Sequence, residues 1–336
     1  MLKASSILII KTSSLGDVVC ALPTLTQLRQ LYPQARIGWV IDHRFADLLE
    51  GHPWIDELVV FRRHKVRLGR GMPQAAAEMS RELARTSQQL RQGEWDVALD
   101  LQSILKSLRL LRGSGARVRI AEFAGLRHAP VPVYANKLVF ARRAHEVQRC
   151  LEVAAPLGTD PERVEFFLPP VPEAAAWAEE QVKALPAPRV VVSPGSARAE
   201  KRWAPKNFAQ ALRMAREGGA DFSVVLVGAP GDAEAARTIE AALGEDCLNL
   251  TGQTSLKQLV AVISQADVFL SGDTGPMHIA AAVGKKVVAL FGPTDPRKNG
   301  PWGAGHTVIK AADGRVASLQ PQQVATALAE ALDEIS

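Results

Sequence analysis

Cysteine is scarce in this sequence of 336 residues: the three present, Cys20, Cys150 and Cys247, are far apart and odd in number. They exclude a disulfide framework and a thiolate metal cluster, and they suit a reducing compartment such as the cytoplasm. Long apolar runs are absent as well. The first, Ile7 to Ile10, is closed by Lys11, far short of a signal-peptide core or the ~20 residues that span a bilayer. Aromatic residues make up only 5% of the chain and are seldom interleaved with its basic clusters, so base stacking on single-stranded nucleic acid is poorly supported. Zinc-finger spacings, short tandem repeats and low-complexity tracts are missing too. The first strand is followed by neither a G-x-G-x-x-G fingerprint nor a Walker A loop, which counts against a nucleotide-binding oxidoreductase.

What is present is an ordinary globular composition, 47% hydrophobic and 22% charged, in a chain about twice the ~150 residues expected of one domain. The net charge of +5 hides an asymmetry: residues 1–150 hold 23 Lys and Arg against 13 Asp and Glu, whereas 151–336 hold 17 against 22. One half is suited to an anionic partner. Strands are expected at 6–11, 37–41, 57–61 and 95–99, with helices at 18–31, 45–49 and 75–90. A Pro-rich change of texture over 156–188 marks the interdomain region, around one helix at 174–185. The pattern then restarts, with strands at 189–193, 223–228, 248–252, 267–271 and 287–292, helices between them and a last helix at 321–335. This βαβα order predicts parallel sheets covered by helices, in two similar α/β halves with a cleft between them. The domains are placed at 1–165 and 188–336, joined by 166–187, with the last helix free to pack back on the first. Ligands of such sheets collect at the C-terminal ends of the strands.

Three strand-end loops carry chemistry. The first, Lys11-Thr12-Ser13-Ser14-Leu15-Gly16-Asp17, leads into a helix. Asp17 suits either of two roles, an N-cap that satisfies helix-start amides or a general base for a hydroxyl, with Lys11 as a tuning cation. The second, Val192 to Ser196 followed by Arg198, Lys201, Arg202 and Trp203, offers Ser196, a glycine amide and Lys201 as a phosphate clamp, with Trp203 packing the loop. The third runs Ser271-Gly272-Asp273-Thr274-Gly275-Pro276-Met277-His278 straight into a helix. Its glycines and free helix-start amides suit a diphosphate; the plainer reading makes Asp273 or Thr274 a cap and His278 a packing residue. A metal held by Asp273 and His278 has no third ligand at a recognisable spacing. In the basic half, Arg62, Arg63 and Lys65 follow a strand, and Lys106, Arg109, Arg112, Arg117, Arg119 and Arg127 come later. A phosphate-rich or carboxylate-rich small molecule, or an anionic membrane surface, fits them better than RNA or DNA does.

Four segments in order, KTSSLGDVVCALPTL at 11–25, PGS at 194–196 with EKRWAP at 200–205, LNLTGQTSL at 248–256 and SGDTGPMHIAAAVGKKVVALFGPTDP at 271–296, resemble the bacterial lipopolysaccharide heptosyltransferases. The resemblance covers about residues 7–310. It implies the GT-B architecture, two Rossmann-like domains facing across a cleft, and an inverting, metal-independent transfer of heptose from ADP-heptose to the lipopolysaccharide inner core. By the same resemblance Asp17 is the catalytic base, in a loop whose Ser13, Ser14 and Gly16 meet the substrate. Ser196 and Lys201 then lie near the donor phosphates, and Asp273, Thr274, Gly275 and His278 form the donor loop. Arg62, Arg63 and Lys65 are implied to hold the acidic groups of the acceptor, with Gln102 and Lys106 lining the cleft and Arg127 as a further acceptor arginine. The first loop is similar to that of heptosyltransferase I, which acts on the Kdo attached to lipid A, while PGS with KRW is also similar to heptosyltransferase II. Gly272 stands where the family commonly has Asn or Val, a change expected to loosen donor placement. The implied partners are ADP-heptose, a Kdo–lipid A or inner-core acceptor, and the anionic inner-membrane surface, touched peripherally from the cytoplasm. No metal cofactor and no nucleic acid are expected, and the chain is expected to be a monomer. A non-catalytic nucleotide- or anion-binding protein is the distant alternative.

Overall fold

The computed structural model of the chain describes residues 2–62, 72–123 and 131–335. It divides into two units, Met1–Pro169 and Pro170–Ser336. In the first, strands β1 (Ser6–Ile10), β2 (Arg36–Asp42), β3 (Glu57–Phe61), β4 (Val97–Asp100), β5 (Val118–Glu122) and β6 (Lys137–Val139) pair in the order β3-β2-β1-β4-β5-β6, all parallel. The crossovers carry helices α1 (Leu15–Leu31), α2 (Ala46–Leu49), α3 (Met72–Gln92), α4 (Leu105–Gly113) and α5 (Val131–Tyr134), and α6 (Glu146–Ala154) follows β6. Strands of a parallel sheet covered on both faces are apolar throughout, and SILII of β1 is buried at every position. Helix α1 shows the same depth. Its residues from Val18 to Leu28 are all buried, so it is wrapped on every side.

The second unit repeats the plan. Strands β7 (Arg189–Ser193), β8 (Ser223–Leu226), β9 (Cys247–Asn249), β10 (Val268–Gly272), β11 (Lys286–Phe291) and β12 (Thr307–Lys310) pair in the order β12-β11-β10-β7-β8-β9, again all parallel. Around them lie α7 (Pro172–Val182), α8 (Pro205–Glu217), α9 (Ala233–Leu243), α10 (Leu256–Ser264), α11 (Gly275–Ala282), α12 (Pro296–Asn299) and α13 (Pro321–Asp333). Counted from its own first strand, each sheet has the 3-2-1-4-5-6 order of a Rossmann fold, whose direction of winding reverses between the first and fourth strands. The two reversal points fall between β1 and β4 and between β7 and β10.

Helix α7 lies in the stretch read as an interdomain region; it packs on α10 as part of the second unit. Helix α13 belongs to the second unit. It packs on α8, β10 and β11 and buries Val324, Leu328 and Leu332 in that core. Among the described residues no helix is long and apolar enough to cross a membrane.

Candidate active site

The loop from Lys11 to Ser14 leaves β1 at the first reversal point. Ser14 is the N-cap of α1, so Asp17 is the third residue of the helix and not its cap. Its Oδ2 accepts hydrogen bonds from the Ser14 N–H at 2.7 Å and the Ser14 hydroxyl at 2.8 Å, the backward reach of a capping box. Both bonds fall on one oxygen, and the carboxylate is only half-buried. Asp17 is therefore held in place at the positive helix end with Oδ1 uncommitted among the described residues.

The fourth strand supplies the brace. Gln102 Oε1 accepts from Thr12 N–H at 2.8 Å, Thr12 Oγ1 at 3.0 Å and Ser13 N–H at 3.0 Å, and its Nε2 donates to the Ser13 carbonyl. One amide thus ties the β4 loop to the β1 loop and satisfies backbone groups that no strand reaches. Gln102 is itself fixed by Asp100, whose Oδ1 accepts from Gln102 N–H at 2.9 Å and Ser103 N–H at 3.2 Å and whose Oδ2 accepts from Ser107 Oγ at 2.9 Å. From the other side, Asp42 N–H donates to the Thr12 carbonyl at 3.1 Å.

Asp100 is fully buried. Burial pushes its carboxyl up to about 6 despite the hydrogen bonds from Gln102, Ser107 and Ser103. The unfolded value is ~3.9, so the native chain keeps a proton that the unfolded chain has already lost. The associated stability is full below ~3.9, is lost as pH rises through about 6, and amounts to about 3 kcal/mol. Asp100→Asn should remove this penalty at neutral pH. Its amide oxygen can still accept from Gln102 and Ser103, and Ser107 Oγ can turn its proton to the Ile104 carbonyl, 2.9 Å away, and accept from the amide nitrogen. The variant is expected to melt several degrees above wild type at neutral pH, with the gap closing towards pH ~4. Calorimetric scans across this range check it; equal melting at neutral pH would disprove the buried-carboxylate account.

Lys11 does not serve Asp17 directly. Its buried ammonium donates to the Leu101 carbonyl at 2.6 Å and to Glu146 Oε1 at 2.5 Å. Burial alone would lower its pKa, but the pull of Cys150, Glu146 and Asp17 holds it above the usual lysine range. Arg149 closes the network, binding Glu146 Oε2 at 2.6 Å and reaching Glu122 at the end of β5. The sequence reading missed Asp100, Glu146 and Arg149; the available signal was a carboxylate at the end of an apolar run, as in VALD.

The basic residues divide. Lys106, half-buried near the start of α4, sets its ammonium 5.2 Å from the centre of the Phe61 ring, and Phe61 directly precedes the exposed Arg62, whose N–H is held by Glu82 Oε1 at 2.9 Å. The ends of β3 and β4 thus bring Arg62 and Lys106 to one region. Arg117 pairs with Asp96 before β5 begins, at the opposite end of the sheet, and Arg112 and Arg119 bind local carbonyls. Arg63, Lys65 and Arg127 lie outside the described residues.

At the second reversal point, Lys201 Nζ meets Asp273 Oδ2 at 2.6 Å, with side chains 15% and 8% exposed. This ion pair ties the β7 loop to the β10 loop. Ser196, half-buried, is anchored through its carbonyl, which accepts from Arg202 Nε at 2.7 Å. Trp203 packs, as expected, edge-on against Phe208 and donates to the Leu319 carbonyl. A Cβ on Gly272 would come within 3.2 Å of the Lys201 carbonyl oxygen, so the glycine lies where the two loops approach closely. Thr274 caps α11 with its backbone only. Its buried hydroxyl has no hydrogen-bond partner among the described residues, a state shared by Thr251 and Thr294, after β9 and β11, and by Thr24 and Thr86 in the first unit. Unpaired buried hydroxyls cost about 1–3 kcal/mol each, a cost that a polar ligand would relieve. Gly275 opens α11 and His278 lies buried one turn on. Asp232, unnoticed in the sequence, sits where a Cβ on Gly195 would strike its carboxylate. Among the described residues no group of three or more His, Cys, Asp or Glu is arranged to hold a metal ion.

Comparison with known proteins gives this arrangement its setting. The chain is 26% identical over 329 residues to lipopolysaccharide heptosyltransferase 1 of Salmonella typhimurium, covering 95% of this chain and 98% of that protein. It is 30% identical over 311 residues to lipopolysaccharide heptosyltransferase 1 of Pseudomonas aeruginosa, covering 88% and 81%. The solved structure of E. coli ADP-heptose lipopolysaccharide heptosyltransferase II superposes with a TM-score of 0.78 at 25% identity, over 98% of this chain and 99% of that one, and both share the GT-B plan of two Rossmann-like domains. The family model of glycosyltransferase family 9 (heptosyltransferase) matches residues 83–328, the whole second sheet with its loops and the Gln102 brace included, and the chain belongs to that family of enzymes.

Proposed function

We propose that the chain transfers heptose from ADP-heptose to the Kdo region of a lipid A-anchored acceptor, at the cytoplasmic face of the inner membrane, in the manner of heptosyltransferase I. The observation that carries this reading is the contrast between the two reversal points: a braced carboxylate at one, and a cation, helix-start amides and an unpaired threonine hydroxyl at the other. Inversion by single displacement needs both. The acceptor oxygen attacks the anomeric carbon as the bond from that carbon to the diphosphate breaks; Asp17 takes the hydroxyl proton, and the charge left on ADP is met by Lys201, Thr274 and the α11 amides. Asp232 stands after the second strand of its sheet, where Rossmann folds place a carboxylate for ribose hydroxyls. Arg62 and Lys106, with Arg63, Lys65 and Arg127, supply cations for the acceptor's acidic groups.

Incubation with ADP-heptose and Kdo-bearing lipid A, read by mass spectrometry, should show one added heptose and one ADP released. Acceptance only of an already heptosylated core would reassign the chain to a heptosyltransferase II role. Release of no ADP with either acceptor would overturn the transferase reading.

A further inference from the structure

The strand order sets β4, β5 and β6 side by side at one edge of the first sheet, about 4.8 Å apart. Their registers, Asp100 with Ala121 and Glu122 with Val139, bring their carboxyl ends level. Each end opens onto a large apolar side chain. Ile104 and Leu105 follow β4 and are 40% and 42% exposed, Phe123 follows β5 and is half-buried, and Phe140 follows β6 and is 66% exposed. The strand ends are tied side by side: Ser103 Oγ lies 3.5 Å from Glu122 Oε2, and the Phe123 and Phe140 rings are 5.1 Å apart. Single exposed apolar residues are ordinary, whereas large ones at three adjacent strand ends are unusual on a surface facing only water.

The charge around the row has one sign. The acidic residue at the end of β5, Glu122, is buried and bound to Arg149. Arg109, one turn beyond Leu105, and Arg142, two residues beyond Phe140, are exposed. The nearby carboxylates are occupied: Glu152 accepts from the backbone N–H groups of Arg142 and Arg143, and Glu162 pairs with the Arg143 guanidinium. A second copy would present the same cations and be repelled. An anionic leaflet offers both an apolar interior and negative head groups.

We propose that this row docks the first unit on an anionic lipid leaflet, with Phe140, Leu105 and Ile104 entering between head groups and Arg109 and Arg142 meeting lipid phosphates. The row flanks β1, whose loop carries Asp17. Its purpose rests on the proposed lipid-anchored acceptor; its test does not. The full chain is sedimented with phosphatidylcholine vesicles with and without phosphatidylglycerol, all free of glycolipid. Binding should require phosphatidylglycerol and weaken with salt, and the Phe140→Ser, Leu105→Ser double variant should bind about ten-fold more weakly or worse with an unchanged melting transition. Phe140→Trp should bind as wild type does. If the double variant does not fold, Arg142→Glu, a change at an exposed side chain, must lower binding several-fold. Binding indifferent to phosphatidylglycerol, a folded double variant that binds like wild type, or a dimer that the double variant dissolves while vesicle binding persists would overturn the inference. A chain that binds vesicles yet releases no ADP with any acceptor overturns the transferase reading alone; one that glycosylates detergent-dispersed acceptor yet ignores vesicles overturns this inference alone.

Discussion

Asp17→Asn should lower kcat by about 10² to 10⁴-fold while ADP affinity stays near wild type. The size of the fall follows from what the substitution removes. The Asn oxygen can still accept the Ser14 N–H, now 2.7 Å from Oδ2, and the Ser14 hydroxyl can turn to water, since Ser14 is exposed. What is lost is the ability to take a proton, together with a negative charge at the first turn of α1. The charge is worth only about 0.3–1 kcal/mol against the helix dipole, and hence a melting shift of at most about 2–4 °C. Activity and stability should therefore separate widely. Steady-state kinetics, ADP titration and thermal melting on one preparation check this. A variant that melts far lower but turns over normally per folded molecule would make Asp17 a structural partner of Ser14, and the base would have to be another residue.

Both helix starts were legible in the sequence. The loop KTSSLGD announced a helix start bearing a carboxylate, and SGDTGPMH announced a helix start without one in its first turn. Both lie at the reversal points that the 3-2-1-4-5-6 order creates. The order itself was less accessible. Strands β5, β6 and β12 went unread because they are short and carry charge: VRIAE holds Arg119 and Glu122, KLV is three residues long, and only alternate residues of TVIK are even half-buried. The edge strands β6 and β12 need no long apolar run, since one side lacks a neighbour. Helix α4 was hidden by its cations, although Leu108, Leu110 and Leu111 form its buried side. Asp17 was expected to choose between cap and base; Ser14 takes the cap, and the carboxylate is left with one bonded oxygen. The braces escaped for a different reason. Gln102 reaches Thr12 and Ser13 from some ninety residues away, and Lys11 finds Glu146 across 135; local pattern carries no record of such pairings. The cation at position 11, read as an aid to its near neighbour Asp17, is hydrogen-bonded by a distant glutamate and meets Asp17 only through its charge.

Lys201→Ala should both destabilise the second unit and weaken ADP binding, and the two effects can be told apart. The Lys201–Asp273 pair, 2.6 Å long with both side chains largely buried, is of the kind whose single-sided removal costs about 3–5 kcal/mol because a buried charge is left unpaired. For a unit of this size that is a loss of roughly 6–20 °C in melting temperature. Binding suffers through a second route, since a charge-assisted hydrogen bond to a phosphate is worth about 1.5–3 kcal/mol, or roughly ten- to a hundred-fold in affinity. Adding Asp273→Asn to Lys201→Ala discriminates between a brace and a ligand. The double variant no longer buries an unpaired carboxylate, so most of the melting temperature should return. If Lys201 meets the diphosphate, the ammonium is still absent and ADP should remain weakly bound by calorimetry. If Lys201 only ties the β7 loop to the β10 loop, affinity should recover along with stability, and the charge on the departing nucleotide would have to be met by the α11 amides and Thr274 alone. On the proposed reading the first outcome is the expected one: Lys201 and Thr274, whose hydroxyl has no hydrogen-bond partner among the described residues, would both offer donors to an anion bound there.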